Sequence, residues 1–83
     1  MTFLSHNNIM IECNKILDSV CGFIQDIRKE KGWSIAEFAK YVQIPRTTVN
    51  YWILKKRMPK IEWLYQMADC FGYTIDYIVG REE

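Results

Sequence analysis

The sequence predicts an all-α fold, a compact bundle of five helices. Three observations carry that expectation. Apolar residues recur at steps of three and four along most of the chain, the spacing of one helical face. Glycines 32, 72 and 80 stand where those periodic runs stop. No stretch reads as a plausible strand.

At 83 residues the chain is one small domain with a thin core. A hydrophobic share of 49% excludes wholesale disorder. The expected division is 1–18, an N-terminal arm with a possible helical extension, and 19–83, the folded unit. Residues 1–8 show no periodicity and read as the arm. From Ile9 the first helix takes over, with Cys13, Leu17, Val20, Ile24 and Ile27 on its seam and Ile16, Cys21 and Phe23 beside it. Asn14 and Ser19 are both suitable caps, and Gly22 weakens the middle. One bent helix and a short helix followed by the main one are both open. Phe3, Leu4, Ile9, Met10 and Ile11 exceed what one helix needs; they either complete the core or form a dimer contact. Arg28, Lys29 and Lys31 suit the negative end of the helix before Gly32.

The second helix has the clearest local signature. Ser34 and Glu37 have capping-box spacing, and Trp33 and Phe38 fit the accompanying hydrophobic staple. Ile35, Phe38, Ala39 and Val42 form its apolar stripe, and Ala39 is small enough for another helix to cross closely. Gln43-Ile44-Pro45 reads as a turn, with Pro45 at the entry to a helix over 46–54. In that helix Val49 and Trp52, with Ile53 nearby, suffice for burial. Arg46, Thr47, Asn50 and Tyr51 are left facing out, side chains suited to base edges and phosphates.

A basic connection, Lys55-Lys56-Arg57-Met58-Pro59, leads to a fourth helix over 60–71, with Ile61, Leu64, Met67, Ala68 and Phe71 on one face. Thr74 can cap a last helix over 75–79.

Net charge is only +1, but its distribution is uneven. Between Lys40 and Lys60 lie six basic residues and no acid, while the remainder holds five basic and ten acidic residues, a balance of +6 against −5. One positive face on a near-neutral protein is the expected result. Cys13, Cys21 and Cys70 have no CxxC pairing, and Cys13 and Cys21 on one helix would stand roughly 12 Å apart. A disulfide needs Cα atoms within about 7 Å. With His6 the only histidine, no zinc site is expected, and the cysteines read as small core residues in a reducing compartment. The N-terminus lacks signal-peptide character and no stretch is long enough to cross a membrane, so a soluble, cytoplasmic protein is expected. One histidine, no clustered acid–base set and no Gly-rich phosphate loop leave an enzyme the poorest reading. No cofactor, metal or small-molecule ligand is expected.

From Ile24 to Gly80 the chain resembles the phage repressor/Cro-like, or XRE-type, helix-turn-helix domains of prokaryotes and phages. The resemblance rests on IRKEKGWS, EFA, IPRTTVNYW, KKRMP and LYQMADCFGYTIDYIVG, in that order and spacing. It implies a lambda-repressor-like five-helix bundle whose third helix enters the DNA major groove. Arg46, Thr47 and Tyr51 would then face base edges, with Asn50 at the margin. Ser34, Thr48, Lys55, Lys56, Arg57 and Lys60 would face phosphates. The implied function is a sequence-specific double-stranded DNA-binding transcriptional regulator, a repressor acting as a homodimer. The chain departs from the family pattern at Ile35, where Gln is frequent, and at Gln43 and Lys55, where Gly is frequent. The alternative is a protein-interaction module on the same fold, an adaptor or toxin-partner regulator. Its support is the apolar N-terminus and the aromatic surplus of Trp63, Tyr65, Tyr73 and Tyr77.

Overall fold

The computed structural model describes the backbone from Thr2 to Arg81 and the side chains of residues 14–81. Five helices follow in order: α1 (Thr2–Lys31), α2 (Ile35–Val42), α3 (Arg46–Ile53), α4 (Ile61–Phe71) and α5 (Ile75–Ile78). The described residues contain no strand.

α1 is one continuous helix. Residues 2–8, in the stretch expected as an arm, belong to it. Asn14 and Ser19 lie inside α1 rather than capping it. Ser19 Oγ instead donates to the Ile78 carbonyl at 2.9 Å, across 59 positions of sequence. Val20, Phe23, Ile24 and Ile27 are buried, as their spacing requires, while Leu17 is half-buried. The side chains of Phe3, Leu4, Ile9, Met10, Ile11 and Cys13 lie outside the described residues.

The capping box of α2 is complete. The Glu37 N–H donates to Ser34 Oγ at 3.1 Å and the Ser34 N–H donates to Glu37 Oε1 at 2.8 Å. These bonds occupy two donors that a helix start otherwise leaves free. Trp33 lies against Tyr41 and Phe71, with centroids at 4.9 and 6.3 Å, and Phe71 in turn stacks on Phe38 at 5.8 Å.

α2 ends at Gln43, whose backbone is left-handed at φ 59°, ψ 44°. The Ile44 N–H returns to the Ala39 carbonyl at 3.1 Å and its side chain is buried, so the turn closes with an apolar contact. Pro45 then caps α3 through its position, with no side-chain hydrogen bond. Lys55, just after α3, is the other non-glycine residue at positive φ among the described residues, also 59°. Both departures from the family's glycines therefore fall where the backbone takes a conformation that glycine accepts most readily.

Among the described residues, Trp52, Phe38, Ile24, Met67, Ile78, Val20, Val42 and Val49 are the largest fully buried side chains, and the helices close around them. Burying each large one contributes about 1.5–3 kcal/mol. α4 differs from expectation at its start. Ile61 is 55% exposed, because it opens the helix beyond the reach of the core, and Pro59 is buried in its vicinity of the sequence instead. Leu64, Met67 and Ala68 are buried as expected. Gly72 ends α4 at φ 73°, and Thr74 Oγ1 caps α5 by accepting from the Tyr77 N–H at 3.0 Å.

Candidate nucleic-acid interface

α2 and α3 pack against each other, and the small residue Ala39 of α2 is buried with only 4% exposure. With α3 anchored inward by Val49 and Trp52, the opposite side of this short helix is left to solvent. Arg46, Thr47 and Asn50 lie there, all exposed, and line one open groove with Ser34, Ile35 and Ala36 from the start of α2. Arg28, near the end of α1, completes the lining. Two guanidinium groups and no carboxylate line this groove, so it suits an anionic surface.

Arg28 is absent from the residues expected from sequence, where it reads only as a cation at a helix end. Its side chain is half-buried and fixed at two points. Nε donates to the Trp33 carbonyl at 3.1 Å and Nη1 donates to Gln25 Oε1 at 2.6 Å. Such a fork is pre-organised, and its remaining donors stay available to an oxygen of a ligand. Ser34 is engaged within the cap: its Oγ accepts from the Glu37 N–H at 3.1 Å and its hydroxyl bonds to the Glu37 carboxyl. The Ser34 N–H and hydroxyl hold the Glu37 carboxyl below its ordinary range, the backbone bond being the larger cause.

The other expected residues distribute differently. Tyr51 does not line the groove; it is 40% exposed and the Arg57 guanidinium lies over its ring, 4.9 Å from the centroid. Thr48 is half-buried and also outside the groove lining. Lys56, Arg57 and Lys60 are exposed beyond the end of α3. Lys55 is exposed too, but its Nζ pairs with the Asp18 carboxylate of α1 at 2.5 Å, and this partner raises its pKa. A phosphate would have to compete with Asp18 for that ammonium.

Cys21 and Cys70 are free thiols and both are half-buried. Cys21 Sγ donates to the Ile53 carbonyl at 3.6 Å, tying α1 to the end of α3. Burial, and then the nearby Asp69 charge, push the Cys70 thiol up. Among the described residues there is no group of His, Cys, Asp and Glu that could hold a metal ion, and no helix long and apolar enough to cross a membrane.

Comparison with known proteins fits this geometry. The chain is 33% identical over 60 residues to the HTH-type transcriptional regulator AnsR of Bacillus subtilis (strain 168). That alignment covers 72% of this chain and 52% of AnsR, so the chain spans about half the length of the curated relative it matches. No solved structure matches it significantly. The helix-turn-helix family model matches residues 24–78, which contain all of α2, α3, α4 and α5 and the end of α1 from Ile24 onward. The chain belongs to the helix-turn-helix family, of the XRE type.

Proposed function

We propose that the chain is a sequence-specific double-stranded DNA-binding transcriptional regulator, a repressor acting as a homodimer, with residues 19–83 as its DNA-binding unit. α3 enters the major groove. Arg46, Thr47 and Asn50 read base edges, and Tyr51 acts from their flank. Ser34, Thr48, Lys56, Arg57 and Lys60 contact phosphates, Lys55 joins them when released from Asp18, and Arg28 is added as a contact from α1. The observation that carries this reading is the groove that α3 shares with α2 and α1, with Arg46, Thr47 and Asn50 on one wall, Arg28 and Ser34 beside them, and no acidic side chain.

The mechanism has two components. Cationic side chains displace condensed counterions from phosphates and give affinity without sequence preference. Fixed donors on α3 then favour some base edges over others; an arginine bidentate to guanine contributes about 1–3 kcal/mol of discrimination. The interface of one module is small, so two copies on a two-fold site supply the remainder.

Binding of the purified chain to a random duplex pool over a salt series tests this reading. Enrichment of particular sequences, with affinity falling steeply as salt rises, is the expected result. No enrichment at low salt would remove it. A second reading, a protein-interaction module, draws support from exposed Tyr41, Tyr65, Tyr73 and Tyr77, of which Tyr73 and Tyr77 stack at 4.7 Å. It predicts an unchanged duplex pool and a protein partner lost on Tyr73→Ala.

A further inference from the structure

We infer that Gln66 of α4 is a positioning residue that sets the pose of α3, by holding the turn that joins it to α2. This inference rests on the DNA-binding reading for its functional consequence, though not for its geometry.

Two carbonyls at the end of α2, those of Val42 and Gln43, would bond to the N–H groups of residues 46 and 47 if the helix continued. The chain turns before those residues, and Pro45 brings no N–H of its own. The left-handed backbone at Gln43 adds strain, because a side chain there crowds the following carbonyl. Gln66 answers both demands. Its Nε2 donates to the Val42 carbonyl at 2.6 Å and to the Gln43 carbonyl at 3.1 Å. Both partners accept only, so the amide orientation is determined: the flipped form would face oxygen to two oxygens. Gln66 thus fastens a non-glycine turn to α4, whose Leu64, Met67 and Ala68 are set in the core. The recognition helix starts only three residues after Gln43, so slack in the turn becomes displacement of Arg46 and Thr47.

Gln66→Glu keeps the shape and replaces the donor with a carboxylate that repels both carbonyls at neutral pH. With far-UV circular dichroism confirming the fold, it is expected to bind the enriched duplex about tenfold more weakly. Discrimination against a shuffled duplex should shrink, with the salt slope unchanged because the phosphate contacts are kept. Facing two acceptors raises this carboxyl above the ordinary glutamate range. Lowering the pH from 7 to 5 should therefore restore a donor and part of the affinity, whereas the parent chain shows no such gain. In the absence of DNA, amide exchange should accelerate at Ile44 and Val49 and stay unchanged at Ile24 and Met67.

Parent-like affinity and discrimination in the folded variant would overturn the inference, as would exchange accelerated equally at all four amides. Should Gln66→Glu not fold, Gln66→Leu, neutral and of similar size, is carried through the same measurements apart from the pH series. If the parent chain itself selects no duplex, the DNA-binding reading fails, and the exchange pattern alone decides whether Gln66 holds the turn.

Discussion

The guanidinium of Arg57 rests over the ring of Tyr51, 4.9 Å from its centre, so the loop after α3 is drawn back onto the helix it follows. An exposed cation–π contact contributes about 0.5–1 kcal/mol, enough to bias where Arg57 waits without fixing it. Tyr51→Ala should weaken duplex binding severalfold, whereas Tyr51→Phe, which keeps the ring face, should stay close to the parent. Equal losses in a fluorescence-anisotropy titration would mean that the hydroxyl, not the ring, is what DNA needs.

Arg46 and Lys56 separate the two components of binding. Arg46→Ala is expected to lose about 1–3 kcal/mol of preference between the enriched duplex and its single-base variants. Lys56→Ala should weaken every duplex alike and lower the salt slope by about one. Parallel titrations against a matched and a mismatched duplex check both; a uniform loss on Arg46→Ala would demote it to a phosphate contact.

Asp18 restrains Lys55. The pair is well exposed, so its removal should shift the melting temperature little. Asp18→Asn should nevertheless raise affinity for any duplex at low salt, because an ammonium is released and a negative charge removed. Unchanged or weaker binding would show that Lys55 is a structural strut only.

Stability has a sharp test at Ala39, which is buried in α2. Ala39→Leu forces extra carbon atoms into a closed contact and should destabilise the fold by about 1–3 kcal/mol. Trp52→Ala, which empties the largest fully buried side chain, should cost about 3–5 kcal/mol and leave little folded chain at 37 °C. Urea unfolding followed by circular dichroism reads both.

The Glu37 carboxyl sits below its ordinary value of 4.5 in the folded chain. A carboxyl depressed by folding contributes stability above its unfolded pKa and loses it as pH falls through the folded one. Thermal stability should therefore fall as the pH drops below the ordinary glutamate range, and Glu37→Gln should flatten part of that fall. An identical acid profile in the variant would show that other carboxyls control it.

How much was legible in the sequence depended on the range of the physics. The capping box, the apolar seams and the glycine stops are decided within four residues, and Ser34, Glu37, Val49, Trp52 and Gly72 are where local rules put them. Gln43 and Lys55 stood out as unusual residues before any geometry, and both have the left-handed backbone that makes them so. Ile61 was misread because helical spacing gives a face but not where along the helix the core ends. Arg28, Gln66 and the Asp18–Lys55 pair were invisible for another reason. Their partners lie on other elements or act through the backbone, and one sequence records neither. Arg46, Thr47 and Asn50 line one groove, while Tyr51 lies outside it beneath the Arg57 guanidinium.

The bond from Ser19 to the Ile78 carbonyl also bears on the order of events in folding. It joins residues 59 positions apart, and a Cβ on Gly80 would lie only 2.8 Å from the same hydroxyl. Most contacts in a helical bundle form between near neighbours and form early, whereas closing so long a loop comes late. The clasp of α5 on α1 is therefore expected to form after the transition state. Loosening it with Ser19→Ala should leave the refolding rate almost unchanged and speed unfolding, so that this hydroxyl governs how long the native state lasts more than how fast it is reached.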